Sequence, residues 1–274
     1  MSNVAAPLLH RLSRVVDLST EDLWALKSML ADCISVPAGT ALVREGEPSR
    51  HTFLLASGWA LRERHLRDGS RQVVNFLVPG DLSEPGVLVT EAADHSITTL
   101  TEARVCRVGH RAWFDTMTAS PALTMALWWL ATHEEAVLKE HLVSLGRRSS
   151  RQRLLYLLWE LWRRLDLAGQ LRPDGSFAFP ARRDDLADAA GLTPRHLGRV
   201  LAELRSDGML TLTGSHVVIT DPARLLKAGD CRDVYLQIEP LAKGFKDYLS
   251  QPRQPPLPQV PPPPVAVSSH TGST

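Results

Sequence analysis

Two arginines, Arg195 and Arg199, lie one helical turn apart in the stretch LADAAGLTPRHLGRVL at 186–201. A guanidinium group can donate two parallel hydrogen bonds to the O6 and N7 atoms of guanine. His196 and Gly198 lie beside the arginines. A helix that exposes these four residues near its N-terminus has the chemistry to read base edges in the major groove of DNA. They are our candidate base-reading residues.

The residues around these side chains predict the elements that would present them. Gly191 permits the left-handed backbone that ends a helix abruptly. Thr193 is a good N-cap, and Pro194 suits the first turn of the next helix because its missing N–H costs nothing there. The apolar positions of that second helix repeat at helical spacing: Leu197, Val200, Leu201 and Leu204. The pattern predicts a helix-turn-helix, with the second helix at Thr193–Arg205.

A short β-segment follows the helix pair. TLTGSHVVIT at 211–220 predicts two strands, with Gly214 and Ser215 at the tip of a wing. Polar and basic groups at such positions can contact the phosphate backbone. The candidate phosphate-binding residues are Thr193, Arg147, Arg148, Arg151, Arg205 and Ser215.

Charge is distributed unevenly along the 274 residues, although the formal net charge is only +1. Residues 147–228 carry 14 Lys/Arg and 9 Asp/Glu, whereas residues 1–146 carry 13 and 17. A basic module beside an acidic one indicates that only the basic one meets a polyanion. Double-stranded DNA is therefore the expected partner of residues 147–228.

The cysteines and the first residues bear on the cellular compartment. Cys33, Cys106 and Cys231 are odd in number and show no CxxC spacing, which argues against a disulfide framework or a thiolate metal site. Reduced cysteines fit a reducing cytosol. The N-terminus lacks a signal-peptide pattern, and no apolar run approaches the roughly 18 residues of a membrane-spanning helix. We expect a soluble, cytoplasmic protein without a membrane partner.

Six regions follow one another in the chain. They are N-terminal helices (1–34), an antiparallel β-roll (35–120), a long helix (121–146), the winged helix-turn-helix (147–228), a helical extension (229–250) and a proline-rich tail (251–274). Short apolar and β-branched runs with turns such as Arg67-Asp68-Gly69-Ser70 predict the strands of the roll. The expected fold class is α+β. The tail's prolines favour an extended, disordered segment, with a docking peptide as the alternative.

The long helix carries a broad apolar face that must be buried, either on its own domain or on a second copy of the chain. We predict pairing with a second copy, and a purely intrachain core helix is the alternative. The residues at the predicted dimer contact are Leu123, Leu127, Leu130, Glu134, Val137 and His141. Glu134 and His141 are polar interruptions that can set register between paired helices. Leu138, Leu142 and Leu145 form a further row, and the adjacent Trp128 and Trp129 must point to different faces.

In this order of elements, the chain resembles the Crp/Fnr superfamily of bacterial transcription regulators over about residues 20–225. The motifs that carry the resemblance are FLLASG with Gly58, NFLVPGDL with Gly80 and Asp81, WWLATHEEAVLKEHLVSLGRR, and RRDDLADAAGLTPRHLGRVLAELRSDGML. The resemblance implies a cyclic-nucleotide-binding-like roll (a double-stranded β-helix), a homodimer that reads a palindromic site, and contact with RNA polymerase. Arg199 matches the family's recurrent recognition arginine. Arg195 stands where the members with the best-known half-sites carry glutamate, so the preferred half-site should differ.

The sensor roll departs from the members that bind cyclic AMP. Those members hold ribose and phosphate with a Gly-Glu pair and an Arg-Ser/Thr pair, whereas here the two regions read DLSEPG at 81–86 and ADHS at 93–96. No arginine stands where the phosphate would need one, so a cyclic nucleotide is disfavoured. The candidate effector-pocket residues are Asp81, Glu84, Asp94, His95 and Ser96.

No cofactor is predicted for the roll. The three scattered cysteines disfavour an iron–sulfur cluster, while haem ligation by His51, His65 or His95 is an open alternative. Two other functions compete with DNA binding. A cupin-like metal enzyme would need two histidines separated by one residue, and no His-x-His occurs in the sequence. An interaction protein would act through the proline-rich tail. We predict a regulator without catalytic activity.

Overall fold

The computed structural model describes residues 4–83, 85–232 and 234–236. Two helices come first, α1 at Ala6–Leu12 and α2 at Thr20–Met29. The Ser19 hydroxyl accepts a hydrogen bond from the Asp22 N–H at 3.1 Å, and the Asp22 carboxylate accepts one from the Ser19 N–H at 2.9 Å. This capping box satisfies two otherwise free N–H groups, so α2 begins directly after Ser19.

Seven antiparallel strands then form the predicted roll. They are β1 Cys33–Val36, β2 Ala41–Val43, β3 His51–Ser57, β4 Ala60–His65, β5 Arg71–Leu77, β6 Ser96–Thr99 and β7 Ala103–Gly109. One sheet has the order β1-β7-β3 and the other β2-β6-β4-β5. Apolar side chains from both sheets, including Leu55, Leu77 and Ile97, pack between them. The fold class is α+β, as expected.

Glycine is required at the β3–β4 turn and in the β4–β5 hairpin. Gly58 has φ +89, and a Cβ there would lie 2.6 Å from the Glu102 carbonyl oxygen. Gly69 has φ +83 in the Asp68-Gly69 turn, where Ser70 donates its N–H to the Asp68 carboxylate at 2.9 Å. Backbone at positive φ is strained for any residue with a side chain. The turn at Gly69 joins the paired strands β4 and β5 and confirms the hairpin predicted at Arg67-Asp68-Gly69-Ser70.

The expectation of reduced cysteines is wrong for two of the three. Cys33 and Cys106 form a disulfide bond that joins β1 to β7. The two residues are direct partners in the antiparallel register, with Cα atoms 3.9 Å apart. The odd count and the missing CxxC spacing could not show this, because the pairing depends on strand register across 73 residues. Cys231 is half-buried and does not take part in this disulfide.

Three helices connect the roll to the C-terminal part: α3 at His110–Ala119, α4 at Pro121–Arg147 and α5 at Ser150–Leu167. Ser120 caps α4 through the Leu123 N–H at 3.2 Å. Ser149 caps α5 through the Gln152 N–H at 3.3 Å, and the Gln152 side chain accepts from the Ser149 N–H at 3.1 Å. The capping box at Ser149 separates two helices that would otherwise continue as one.

The C-terminal part is a winged helix-turn-helix, as the sequence predicts. Its elements are β8 Phe177–Ala178, α6 Arg183–Ala190, α7 Pro194–Ser206, β9 Leu210–Thr213, β10 His216–Ile219 and α8 Pro222–Gly229. The small sheet has the order β8-β10-β9. A 3₁₀ turn at Val234–Leu236 ends the described chain, so most of the predicted extension (229–250) and all of the tail (251–274) lie outside the described residues.

The roll and the winged helix-turn-helix share a hydrophobic core. Phe179 packs edge-on against Trp59 and Phe76 of the roll, with ring centroids 5.7 and 5.2 Å apart. The same cluster includes Leu158 of α5 and Leu197 of α7. These contacts place both regions around common side chains. In the described residues, no helix is long and apolar enough to cross a membrane.

Candidate nucleic-acid interface

The corner between α6 and α7 has the geometry that the sequence predicts. Gly191 adopts the left-handed conformation (φ 61, ψ 43), and the Leu192 N–H donates to the Ala187 carbonyl at 2.9 Å, which ends α6. The Thr193 hydroxyl accepts from the His196 N–H at 3.3 Å, and Pro194 fills the first position of α7. These local bonds turn the chain sharply and start the second helix.

Gly191 has a second role that local sequence could not show. A Cβ at this position would lie 2.8 Å from the Leu145 side chain and 2.9 Å from the Arg153 guanidinium. Arg153 also donates to the Gly191 carbonyl at 3.2 Å. The corner therefore lies against the end of α4 and the start of α5, and a side chain at this position would have to displace the ends of Leu145 and Arg153.

One face of α7 is buried and the other is open. Leu197, Val200 and Leu204 are buried. Arg195 and Arg199 are exposed, and His196 and Gly198 are half-buried. Since the apolar positions repeat at helical spacing, they hold α7 against α6 and leave the arginines at the surface.

The wing and its link to α7 also lie where the sequence predicts. Gly214 has φ +60 at the turn between β9 and β10, and Ser215 is exposed beside it. Arg205, near the end of α7, donates to the Leu212 carbonyl of β9 at 3.1 Å. Thr193 is exposed at the other end of α7.

The roll holds the first helix of the motif through an arginine that sequence analysis did not single out. Arg71 of β5 donates to the Asp185 carboxylate at 2.7 Å and to that of Asp188 at 2.6 Å. Asp185 also accepts the Arg182 N–H at 3.0 Å. Burial raises the pKa of Asp185, but bonds from Arg182 and Arg71 outweigh it and hold this pKa below its ordinary value. No local signal marks Arg71, because its partners lie over a hundred residues further along the chain.

Two of the three arginines clustered at the junction of α4 and α5 already have acidic partners within the chain. Arg148 pairs with Glu140 at 2.6 Å, and its guanidinium lies 3.8 Å above the Tyr156 ring. Arg151 pairs with Asp207 at 2.5 Å. Arg147 is exposed. Ion pairs offset the charges of Arg148 and Arg151. Of the cluster predicted to contact phosphate, Arg147 is therefore the member to which no ion pair within the described residues is assigned.

The predicted dimer stripe of α4 faces its own chain. Leu123, Leu127, Leu130 and Val137 are buried in a single copy. Glu134 pairs with Arg62 of β4, and His141 pairs with Glu160 of α5. These side chains are thus unavailable to a second copy, and the assignment of the stripe to a dimer contact needs correction.

A different face of α4 is exposed. Trp128, Leu142 and Leu145 are 60%, 73% and 41% exposed. They belong to a row whose members are spaced alternately by three and four residues: Trp128, Ala131, Glu135, Leu138, Leu142 and Leu145. This is the spacing of the apolar seam in a two-stranded coiled coil. The helix is apolar on both faces, and only packing distinguishes the one that faces the roll.

The predicted effector-pocket residues that the structure describes each have their own partners within the chain. Asp81 is buried and pairs with Arg11 of α1 and with Arg164 of α5, the latter at 2.5 Å. Asp94 is exposed and accepts from His95 at 2.5 Å. Ser96 accepts the Glu45 N–H at 3.0 Å, and Glu84 lies outside the described residues.

The roll also contains a buried arginine, Arg62, near these positions, and its partners lie within the chain. Arg62 donates to the Ser83 carbonyl and pairs with Glu134 of α4. Its charge contributes to the low pKa of Asp94, although burial acts in the opposite direction and the hydrogen bond from His95 contributes more. Arg62 is distant in sequence from Asp81–Gly86, so a motif search there misses it.

Comparison with known proteins agrees with this arrangement. A family model described as a cyclic nucleotide-binding domain matches residues 33–120, and one described as a Crp-like helix-turn-helix domain matches 152–228. The transcriptional activator protein FnrL of Cereibacter sphaeroides is 30% identical over 73% of this chain and 81% of its own length. The chain belongs to the Crp/Fnr family. It is a DNA-binding transcriptional regulator with a cyclic-nucleotide-binding-like sensor domain.

Two further proteins are similar to this chain in sequence or in fold. The nitrogen fixation regulation protein FixK of Azorhizobium caulinodans is 29% identical over 64% of this chain and 69% of its own. The structure of FixK2 from Bradyrhizobium japonicum superposes with a TM-score of 0.63 at 24% identity, covering 71% of this chain and 95% of that one. This similarity confirms the fold that the sequence resemblance implies.

Three histidines are the candidate ligands in the alternative of haem binding. His51 and His65 are exposed, whereas His95 is buried with its Nδ1 on Asp94. Across residues 4–83, 85–232 and 234–236, no group of three or more His, Cys, Asp or Glu side chains is arranged to hold a metal ion.

A buried chain of charges joins the sensor part of this Crp/Fnr protein to α5. Arg164 of α5 donates to Asp81 of the roll at 2.5 Å and to Glu160 at 3.0 Å. Glu160, fully buried, accepts from His141 of α4 at 2.6 Å. The His141 ring also reaches the Val74 carbonyl at 3.1 Å. The chain therefore connects the roll, α4 and α5.

Burial lowers the pKa of His141, but the Glu160 carboxylate and the Val74 carbonyl outweigh burial and raise this pKa above its ordinary value. Burial likewise raises the pKa of Glu160, and His141 and Arg164 outweigh it and lower this pKa. A raised histidine pKa stabilises the fold fully below the unfolded value of about 6.5. That contribution is lost as pH rises through the folded pKa. The glutamate contribution is lost only in acid, as pH falls through its folded pKa.

We therefore expect the free energy of unfolding to fall as pH rises above about 6.5, and His141→Gln to flatten this dependence. Urea unfolding of both proteins at several pH values measures it. His65→Gln, at an exposed site, is the matched control and should keep the wild-type slope. Equal slopes in wild type and His141→Gln would show that the His141–Glu160 pair does not titrate in this way.

Proposed function

We propose that this regulator is a homodimer that reads a palindromic DNA site, with α7 of each copy in one major groove. Arg195, His196, Gly198 and Arg199 face the bases. The phosphate contacts come from Thr193, Arg147, Arg205 and Ser215. The single observation that carries the proposal is the exposure of Arg195 and Arg199 on the face of α7 opposite its buried leucines.

The chemistry of the exposed face favours guanine in the half-site. Each of Arg195 and Arg199 can donate two hydrogen bonds to the O6 and N7 atoms of a guanine. A glutamate at position 195 would instead accept from cytosine N4, so the half-site differs from that of relatives with glutamate there. Gly198 adds no side chain between them, which leaves the groove floor open to both guanidinium groups.

The exposed row of α4 supplies the dimer contact in this proposal. Its alternating spacing of three and four residues lets two parallel copies pack with Trp128, Leu138, Leu142 and Leu145 in the seam. Glu135, the acidic member of the row, pairs with Lys139 of its own helix at 2.6 Å. The pair reduces the cost of a carboxylate at the seam.

The sensor roll in this proposal does not bind cyclic AMP. Arg62 would be the cation for a phosphate, and it is engaged with Glu134 and the Ser83 carbonyl. Contact with RNA polymerase at the promoter belongs to the same proposal, supported by the name of FnrL as a transcriptional activator. The relatives are transcription regulators, which supports a binding protein over the cupin-like enzyme.

We expect Arg199→Ala to weaken binding to the selected palindrome by about 1–3 kcal/mol per half-site and to relax the preference for the contacted base. Selection from random duplexes followed by gel-shift titration measures both. Arg111→Ala removes an exposed arginine of α3 and is the matched control, with unchanged affinity. No selective retardation by the wild type would overturn the proposed function. An equal loss on all sequences would assign Arg199 to phosphate rather than to bases.

A further inference from the structure

The residues after α8 turn back toward the long helix α4. α8 ends at Gly229, and Asp230 follows it in the left-handed conformation (φ 49). The Cys231 N–H donates to the Leu226 carbonyl at 2.9 Å. The Tyr156 hydroxyl donates a hydrogen bond to the Arg232 carbonyl at 3.2 Å. We call Cys231–Arg232 and Val234–Leu236 the strap, and its first contact is therefore with α5.

The second half of the strap contacts both α5 and α4. The Tyr235 ring lies 5.5 Å from the Tyr156 ring of α5. Leu236 is fully buried, and its carbonyl lies 2.6 Å from Nδ1 of His133 in α4. A carbonyl can only accept, so Nδ1 carries the proton and donates. Burial first, and then the charges of Arg11 and Arg164, lower the pKa of His133 to about 3, so the ring is neutral at physiological pH.

The strap crosses the joint between α4 and α5, where α4 ends at Arg147 and α5 begins at Ser150. On one side the strap is hydrogen-bonded to His133, in the middle of α4. On the other side the strap contacts Tyr156, in the second turn of α5, through a hydrogen bond and a ring contact. Arg148, within the joint, stacks over the same Tyr156 ring. Because α5 shares its core with the recognition helix α7, the angle at this joint determines where Arg195 and Arg199 point relative to α4.

We propose that the strap is a specificity element: it fixes the angle between α4 and α5, so that the dimer accepts only one spacing between its half-sites. The proposal rests on the proposed function, in which α4 pairs two copies. In a rigid dimer the distance and rotation between the two α7 helices are fixed. One added base pair rotates the second half-site by about a tenth of a turn, which a rigid dimer cannot follow. The matched helix-turn-helix family ends at residue 228, before the strap begins.

The test is gel-shift titration of full-length protein on palindromes with zero, one or two inserted central base pairs. Wild type should lose about tenfold or more in affinity for each changed spacing, as when specific base contacts are lost. Leu236→Ala removes the buried anchor and should reduce this loss to less than about threefold. Tyr156→Phe keeps the ring but removes the hydrogen bond to Arg232, and it should act in the same direction. Val234→Ala changes the strap at an exposed side chain and should behave as wild type.

Amide hydrogen exchange of residues 147–150 in the same full-length proteins gives a readout that needs no DNA. Exchange should be faster in Leu236→Ala and Tyr156→Phe than in Val234→Ala. Wild-type spacing preference in both anchor variants would overturn the strap proposal and leave the proposed function intact. If wild type binds no palindrome, the proposed function fails, and the spacing role fails with it. Unchanged exchange in both anchor variants would show that the strap does not restrain the joint at all.

Discussion

Arg164→Met will lower the free energy of unfolding by about 3–5 kcal/mol, the range for breaking a buried ion pair on one side. Arg164 is buried and holds the carboxylates of Asp81 and Glu160, which are both buried as well. Methionine fills a similar volume but carries no charge. Two acidic groups would then remain inside the protein with fewer donors, and each must be desolvated without full compensation.

The decrease in the free energy of unfolding should be larger in Arg164→Met than in a variant that breaks an exposed arginine–aspartate pair. Arg107 pairs with Asp32 at 2.8 Å on the surface of the roll, with both side chains about half exposed. Arg107→Met is the matched control, and its expected cost is about 0–1 kcal/mol. Urea unfolding at constant pH measures both variants. Equal, small losses would show that the buried chain of charges contributes no more than a surface pair.

Buried charges also make the effect non-additive. Arg164 donates to Asp81, Glu160 and the Asn75 side chain. Once Arg164 is replaced, a second substitution within this set loses an interaction with Arg164 that is already gone. We expect Arg164→Met combined with Glu160→Gln to be less destabilising than the sum of the two single variants, because the glutamine leaves one charge fewer to compensate. A strictly additive double variant would mean that the two side chains do not interact.

Leu142→Lys will dissociate the proposed dimer. The expected loss of dimerisation free energy is about 3–6 kcal/mol for the two leucines that leave the proposed seam, before any repulsion between lysines. Leu142 is 73% exposed in one copy and lies at the C-terminal half of the exposed row of α4. In a parallel pair each Leu142 meets its equivalent in the second copy, so one substitution places two positive charges opposite each other.

Sedimentation equilibrium of the variant and the wild type measures the dissociation constant. Leu66→Lys changes a leucine that is 55% exposed next to the β4–β5 turn, and it should leave the mass of the assembly unchanged. Specific DNA affinity should fall together with dimer mass, since one copy can occupy only one half-site. A dimeric Leu142→Lys protein with unchanged affinity would exclude the exposed row of α4 as the contact.

The amino-acid sequence by itself determined the local features of this regulator. The corner of the helix-turn-helix follows from Gly191, Thr193 and Pro194, and the turn of the wing follows from Gly214. Each of these residues acts on its own backbone torsions or on groups within four residues, so neighbouring residues suffice to predict the result. The buried side of α7 follows equally directly from the spacing of its leucines and valine.

Only the tertiary structure decided which distant groups meet. The Cys33–Cys106 bond depends on strand register, and the pairing of Asp81 with Arg164 depends on how α5 lies against the roll. The face of α4 that is buried could not be chosen from its pattern, because Leu123 and Leu142 lie on two sides that are both apolar. Such contacts join residues far apart in the chain, and their energies depend on burial and geometry that no short stretch of sequence encodes.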